Sequence, residues 1–368
     1  MVETRKDIVK FIRNIIPSDI PETYPVIDMF NSIADSEKIR KGVLAFRELL
    51  YMICDRLMDE EELYLSSVKK SRATSFHPSL PVSFPFLNNL KSILYNLGYH
   101  GEIDNNSNTL IVNDIGLITS TVGVDGRKMK AKISTPKLID ALKFLDSIGF
   151  EFVNLNLDIK PSRMAEIKSI EIKYSMNVDL FVGIKVMSVA QEKLFAKGKH
   201  DIFLRCDYRE IMDQVIDSYD ILNDYLKPLD DKVRNFVLAL HRRYTNQNLT
   251  CKVDVFYLGV RVIYSYGNNE VWTFSASHNS GYRILIKAQK KNMYLDFIES
   301  FPKELKEVIS RGYGCNKKLF AEACQKGCHG YSFLLDEAIL KIGGNIQTWL
   351  DMEVECLKNK GKILSTSS

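Results

Sequence analysis

The stretch CKVDVFYLGVRVIYSYGNNEVWTFSASHNSGYRILIKAQ, residues 251–289, decides the fold. Three runs within it, CKVDVFY, RVIYSY and EVWTFSAS, are rich in β-branched and aromatic residues. Leu258-Gly259 and Gly267-Asn268-Asn269 separate them as turns. A fourth run, GYRILIKAQ, follows the turn His278-Asn279-Ser280. A two-residue period puts Val262, Tyr264, Tyr266, Trp272, Phe274, Ala276, Tyr282, Ile284 and Ile286 on aromatic-rich faces of their strands. The opposite faces carry hydroxyls together with Arg261, Arg283 and Lys287. An antiparallel sheet commonly packs one face and wets the other, which accounts for this pattern without a ligand. The functional reading makes the polar face, or an aromatic cleft beside it, a site for a small anionic or planar ligand. Its candidate contacts are Arg261, Trp272, Ser275, Arg283 and Lys287.

Helical patterns bracket these strands. DDKVRNFVLALHRRY precedes them, and YLDFIESFPKELKEVISRG and NIQTWLDMEVECLKNK follow, with GYSFLLD as a further short strand. Strands and helices also alternate further upstream. LNNLKSILYNLGY reads as a helix ended by Gly98, and NTLIVND and GLITSTV as strands. TPKLIDALKFLDSIGF is a helix capped by Thr135, with Pro136 at its first position and Gly149 at its end. FVNLNLD, SIEIKYS and DIFLRCDYRE are expected strands, and VDLFVGIKVMSVAQEKLFAKG a mostly apolar helix. Short antiparallel strands bracketed by helices define an α+β protein. The expected organisation is a helical N-terminal extension (1–73), an α+β lobe (86–210) and a second α+β lobe (211–358) that carries the sheet and a cysteine-rich loop. The proline-rich stretch TSFHPSLPVSFP marks the clearest boundary. In the extension, an apolar stripe runs from Val43 to Leu63, with Ser36 as its expected cap. A stripe this broad needs a partner. It suggests the next lobe, a protein–protein adaptor surface or a homodimer through the N-terminal helices.

The chain has 368 residues, 45% of them hydrophobic and 26% charged, values that suit a folded globular protein without disulfide staples. The net charge of +4 comes from 50 basic and 46 acidic residues, interspersed, so a nucleic-acid partner is not expected. The densest basic cluster, RKMKAK, reads as a loop or hairpin surface. No signal peptide and no long apolar run are visible, so neither export nor a membrane partner is expected. Seven cysteines, four of them widely scattered, fit free thiols in a reducing cytoplasm.

Cys315, Cys324, Cys328 and His329 gather in CNKKLFAEACQKGCH. Zinc takes four such ligands in a tetrahedron, and nearby glycines allow a tight backbone, so a structural zinc clip is one expectation. The alternative is a set of idle thiols with His329 on the surface. Haem attachment does not fit, because three residues rather than two separate Cys324 from Cys328. In DIFLRCDYRE, alternation places Arg205, Asp207 and Arg209 on one face. This reads as a surface ion-pair row or, functionally, as an anion clamp opposite Cys206. Phosphate-loop, dinucleotide, nucleophile-elbow and zinc-protease motifs are missing. The histidines outside the cysteine loop read mostly as surface residues.

VWTFSASHNSGYRILIKAQ, GYGCNKKLFAEACQKGCHGYSF and DIFLRCDYR together resemble a group of uncharacterised cytosolic proteins of Gram-positive bacteria, over residues 80–358. The third segment is also loosely similar to small bacterial α+β domains with a three-stranded antiparallel sheet. The resemblance implies a fold and a cytoplasmic setting. It brings no activity and no catalytic residues. The functional expectation is a ligand-binding or sensory protein with a zinc-holding loop. The rivals are an enzyme for a small anionic substrate in an inter-lobe cleft, using Arg283, Lys287 and Arg205, and an adaptor.

Overall fold

The computed structural model describes residues 5–60, 84–104, 106–122, 128–196, 203–256, 259–277, 280–290, 293–310 and 330–359. The architecture is α+β with antiparallel sheets. The chain divides into two compact units at Val215/Ile216, apart from residues 256–258, which group with the first. The N-terminal helices belong to the first unit.

In that unit, helix α1 (Arg5–Ile15) packs on α2 (Ser36–Asp59). Asp35 caps α2 by accepting from the Lys38 amide, so the cap stands one residue before the expected Ser36. Helix α3 (Pro85–His100) leads into strands β1 (Glu102–Asp104) and β2 (Thr109–Val112). The first half of GLITSTV lies in a short helix α4 (Ile115–Ile118), and only its last three residues form the expected strand, β3 (Ser120–Val122), paired with β4 (Lys128–Lys132). Helix α5 (Thr135–Ser147) begins at Thr135 itself, with Ser134 as its N-cap. Strands β5 (Phe150–Phe152) and β6 (Ile170–Tyr174) complete a four-stranded sheet of order β1-β2-β6-β5. FVNLNLD contributes only its first residue to a strand, because the chain turns after Phe152.

Helix α6 (Leu180–Ala196) is buried on nearly all sides, as its apolar composition requires. Helices α2 and α3 both pack on it through glycine. Gly42 of α2 meets Gly183, and Gly98 of α3 meets Ile184 and Ser188. Gly98 was expected to end its helix. Instead α3 continues to His100, and Gly98 makes room for a neighbouring backbone. Val43, Phe46, Leu49, Leu50, Ile53 and Leu57 are all at most 2% exposed, so this unit itself covers these positions of the stripe, and Leu63 lies outside the described residues.

The second unit opens with helices α7 (Ser218–Leu226) and α8 (Asp231–Asn246). Strands β7 (Thr250–Phe256), β8 (Gly259–Tyr266), β9 (Asn269–Ser277) and β10 (Gly281–Lys287) follow as the alternation predicts. Pro302 separates the expected single helix into α9 (Leu295–Glu299) and α10 (Lys303–Ser310). Strand β11 (Gly330–Leu334) joins the far edge, giving the five-stranded order β11-β10-β9-β8-β7. Helix α11 (Glu337–Lys358) starts earlier than its sequence pattern suggested, at the N-cap Asp336. It packs with α8 and β9. Among the described residues no helix is long and apolar enough to cross a membrane.

Candidate functional site

The register of the five-stranded sheet places Arg261 opposite Ser275, and Ser275 opposite Arg283. These three form one row on the polar face. Lys287 lies four residues along β10 from Arg283, roughly 13 Å at strand spacing, and is not part of that cluster. Both arginines are engaged locally. Arg261 binds the Asp254 carboxylate. Arg283 donates from Nε to the Ser280 carbonyl (2.7 Å) and from Nη1 to Ser332 Oγ (3.2 Å). Trp272 projects from the opposite, packed face, as the alternation places it. It is fully buried and stacked on Tyr264, with ring centroids 3.8 Å apart and planes 2° from parallel.

The described part of DIFLRCDYRE, residues 203–210, forms two tight 3₁₀ turns, Phe203–Arg205 and Tyr208–Glu210, rather than a strand. The expected surface ion-pair row is in fact buried, with Arg205 1% and Asp207 5% exposed. Arg209 grips Asp207 through Nε (2.6 Å) and Nη2 (3.0 Å). Burial acts to raise the Asp207 carboxyl, but the charge and paired hydrogen bonds of Arg209, with Arg205 nearby, outweigh it and hold the group below the usual range. Cys206 between them has φ 45° and is wholly buried. Its thiol donates to the Val43 carbonyl, and burial raises its pKa. A buried thiol of this kind is not an available nucleophile.

A ligand-sized cleft of about 490 Å³ lies in the first unit, within the usual range for small-molecule sites. Ile115, Leu138, Met164 and Ile167 are its apolar lining. Asn113, Asp114, Thr119, Thr135 and Lys168 line it as polar groups. The Ile115 amide donates to the Lys168 carbonyl (3.0 Å) and ties the entrance of β6 to α4. Asp114 is occupied as the α4 cap, accepting from the Gly116 amide (2.8 Å). The first turn of α5 opens on the cleft at Thr135, and Ser134 makes no side-chain cap bond there. That helix end adds a positive partial charge to a cleft that Lys168 also lines.

In the second unit, side chains from four elements converge. His241 of α8 shares a hydrogen bond between Nδ1 and the Tyr264 hydroxyl of β8 (2.8 Å). Cys251 of β7 lies close enough to Ser218, at the start of α7, and to Tyr264 for their hydroxyls to act on its thiol. Asp217, the α7 N-cap, adds its charge to both Cys251 and His241. Burial lowers the His241 pKa against the pull of Asp217, which keeps the imidazole neutral near pH 7. Burial raises the Cys251 thiol, while the Ser218 and Tyr264 hydroxyls partly counter it. The expectation of surface histidines fails here, since His241 is 4% exposed. A signal was present: His241 falls four residues after Val237 and three before Tyr244, on the buried stripe of α8.

Cys315, Cys324, Cys328 and His329 lie outside the described residues. Among the described residues, no group of three or more His, Cys, Asp or Glu side chains is arranged to hold a metal ion. No protein-family model, no curated protein and no solved structure matches the chain.

Proposed function

We propose that this is a small-molecule-binding protein of sensory type, and that its ligand occupies the cleft between α4, the start of α5 and the entrance to β6. The observation that carries the reading is the cleft's volume combined with its mixed apolar and polar lining. The ligand class is a small molecule bearing an anionic group. Lys168 and the α5 N-terminus favour the charge, and the Thr119 and Thr135 hydroxyls offer hydrogen bonds. The cytoplasmic setting implied by the sequence resemblance suits a metabolite sensor.

A thermal-shift screen with carboxylates, nucleotides and sugar phosphates tests the reading, because a ligand that binds only the folded state raises Tm. A hit should lose its shift in Lys168→Glu and in Thr135→Trp. A hit that survives both substitutions would relocate the site, and a panel with no hits would remove the anionic class. The zinc clip at Cys315, Cys324, Cys328 and His329 is a separate proposal. Metal analysis of freshly reduced, untagged protein should find about one zinc per chain, as one four-ligand site requires. Clearly substoichiometric zinc would remove the clip.

A further inference from the structure

We propose that strand β7 is an interface for a second copy of this chain, paired antiparallel and edge to edge about a two-fold axis at Val253. In the order β11-β10-β9-β8-β7, β7 is an edge strand. At seven residues it is the longest edge strand among the described residues, and TCKVDVF contains neither proline nor glycine. Edge strands are commonly kept short, or blunted by proline, bulges or charge, because alternate N–H and C=O groups face outward unpaired. Among the described residues, no backbone group of residues 250–255 hydrogen-bonds outside the sheet.

The side chains select the occupant. Asp254 pairs with Arg261, which puts Lys252 and Asp254 on the polar face and Cys251, Val253 and Val255 on the packed face. Pairing two copies of β7 about Val253 sets Lys252 of each copy opposite Asp254 of the other. Lys252 is exposed and makes no ion pair among the described residues, so its charge is available. Asp254 then lies between Arg261 of its own chain and Lys252 of the other copy. Moving the axis by one residue opposes Lys252 to Lys252 or Asp254 to Asp254, which cross-strand repulsion disfavours. A lysine on an edge ordinarily repels added strands; here the aspartate two residues on answers it in one register. On the packed face Cys251, Val253 and Val255 are only partly buried. The same register brings Val253 against Val253 and Cys251 against Val255, which covers them. The paired stretch, residues 251–255, stops short of residues 256–258, which group with the first unit. A contact of this kind uses the same patch on both copies, so it closes as a dimer and continues one sheet across both. It lies in the second unit and the ligand cleft in the first, so either can fail without the other.

The experiment combines the mass of the full chain in solution, measured across a wide range of concentration, with oxidative crosslinking of added cysteines. Wild type should approach twice the chain mass of 42.2 kDa as concentration rises. Lys252→Asp should weaken the dimer at least about tenfold, because like charges then face each other at both symmetry-related positions. Asp254→Lys should weaken it likewise. An equimolar mixture of the two variants should restore it as a heterodimer, since each charge then meets its opposite. Val253→Cys should oxidise to a covalent dimer faster than Lys252→Cys. Position 252 is the more exposed, so random collision favours it, and an axis at Val253 reverses that order. A wild-type mass of one chain at every concentration overturns the proposal. So does a dimer left unchanged in folded Lys252→Asp, or crosslinking at position 252 that equals or exceeds crosslinking at 253.

Discussion

Glu353 is a carboxyl group placed where water does not reach. It is fully buried on α11, and the Lys290 amide donates to both of its oxygens at 3.1 Å. The Tyr294 hydroxyl donates to Oε2 at 2.5 Å and itself accepts from Trp349 Nε1 at 3.2 Å. Burial raises the Glu353 pKa, and these donors reverse only part of the shift. The sign of the pH effect follows directly. An unfolded glutamate titrates near about 4.3. Between that value and the raised folded value, the folded state holds more protons than the unfolded one, so stability falls as pH rises through this window. Its contribution is complete below the unfolded pKa. Urea unfolding from pH 4 to pH 8 should therefore show Glu353→Gln gaining stability relative to wild type as pH rises. A difference independent of pH would refute the assignment. The helical spacing of Trp349, Glu353 and Cys356 made the buried face of α11 legible. Which hydroxyl and which amide would meet the carboxylate was not, because Tyr294 and Lys290 lie about sixty residues away in sequence.

At the scale of elements, the first unit depends on two helices approaching a third through glycine. A Cβ at Gly183 would stand 1.8 Å from the Gly42 carbonyl oxygen, and one at Gly42 would stand 2.6 Å from the Gly183 amide. The obstructing atoms are backbone, so no side chain can swing aside, and α2 and α6 would have to separate. Gly183→Ala should cost at least about 3 kcal/mol in chemical denaturation, the upper part of the usual overpacking range. Gly344 provides the control. It is an exposed glycine inside α11 with no atom near its absent Cβ. Gly344→Ala should stabilise by about 1 kcal/mol through helix propensity alone. Equal effects at the two positions would show that the helix crossing is not tight. Sequence reading identified α2, α3 and α6 as helices but assigned Gly98 to a helix end. A glycine at a terminus and one at a crossing look alike until the neighbouring helix is in place.

At the scale of the whole molecule, each unit has buried residues of its own: the helical core around α6, and the Tyr264–Trp272 stack under α8 and α11. Trp272→Ala should cost about 3–5 kcal/mol, as large core truncations do. By amide hydrogen exchange its loss of protection should begin in β8, β9 and β10, whereas Gly183→Ala should loosen α2 and α6 first. Uniform loss throughout the chain in both variants would mean that the two cores do not act separately. The sequence by itself determined the α+β class and the run from β7 to β10. It also determined which side chains of β8, β9 and β10 share a face, because alternation and turn chemistry are local properties of the backbone. Only the tertiary structure decided what each polar group meets. It buried Arg205 and Asp207, joined His241 to Tyr264, and stacked Tyr264 on Trp272. Burial and partnership depend on residues far apart along the chain, and no local spacing encodes them.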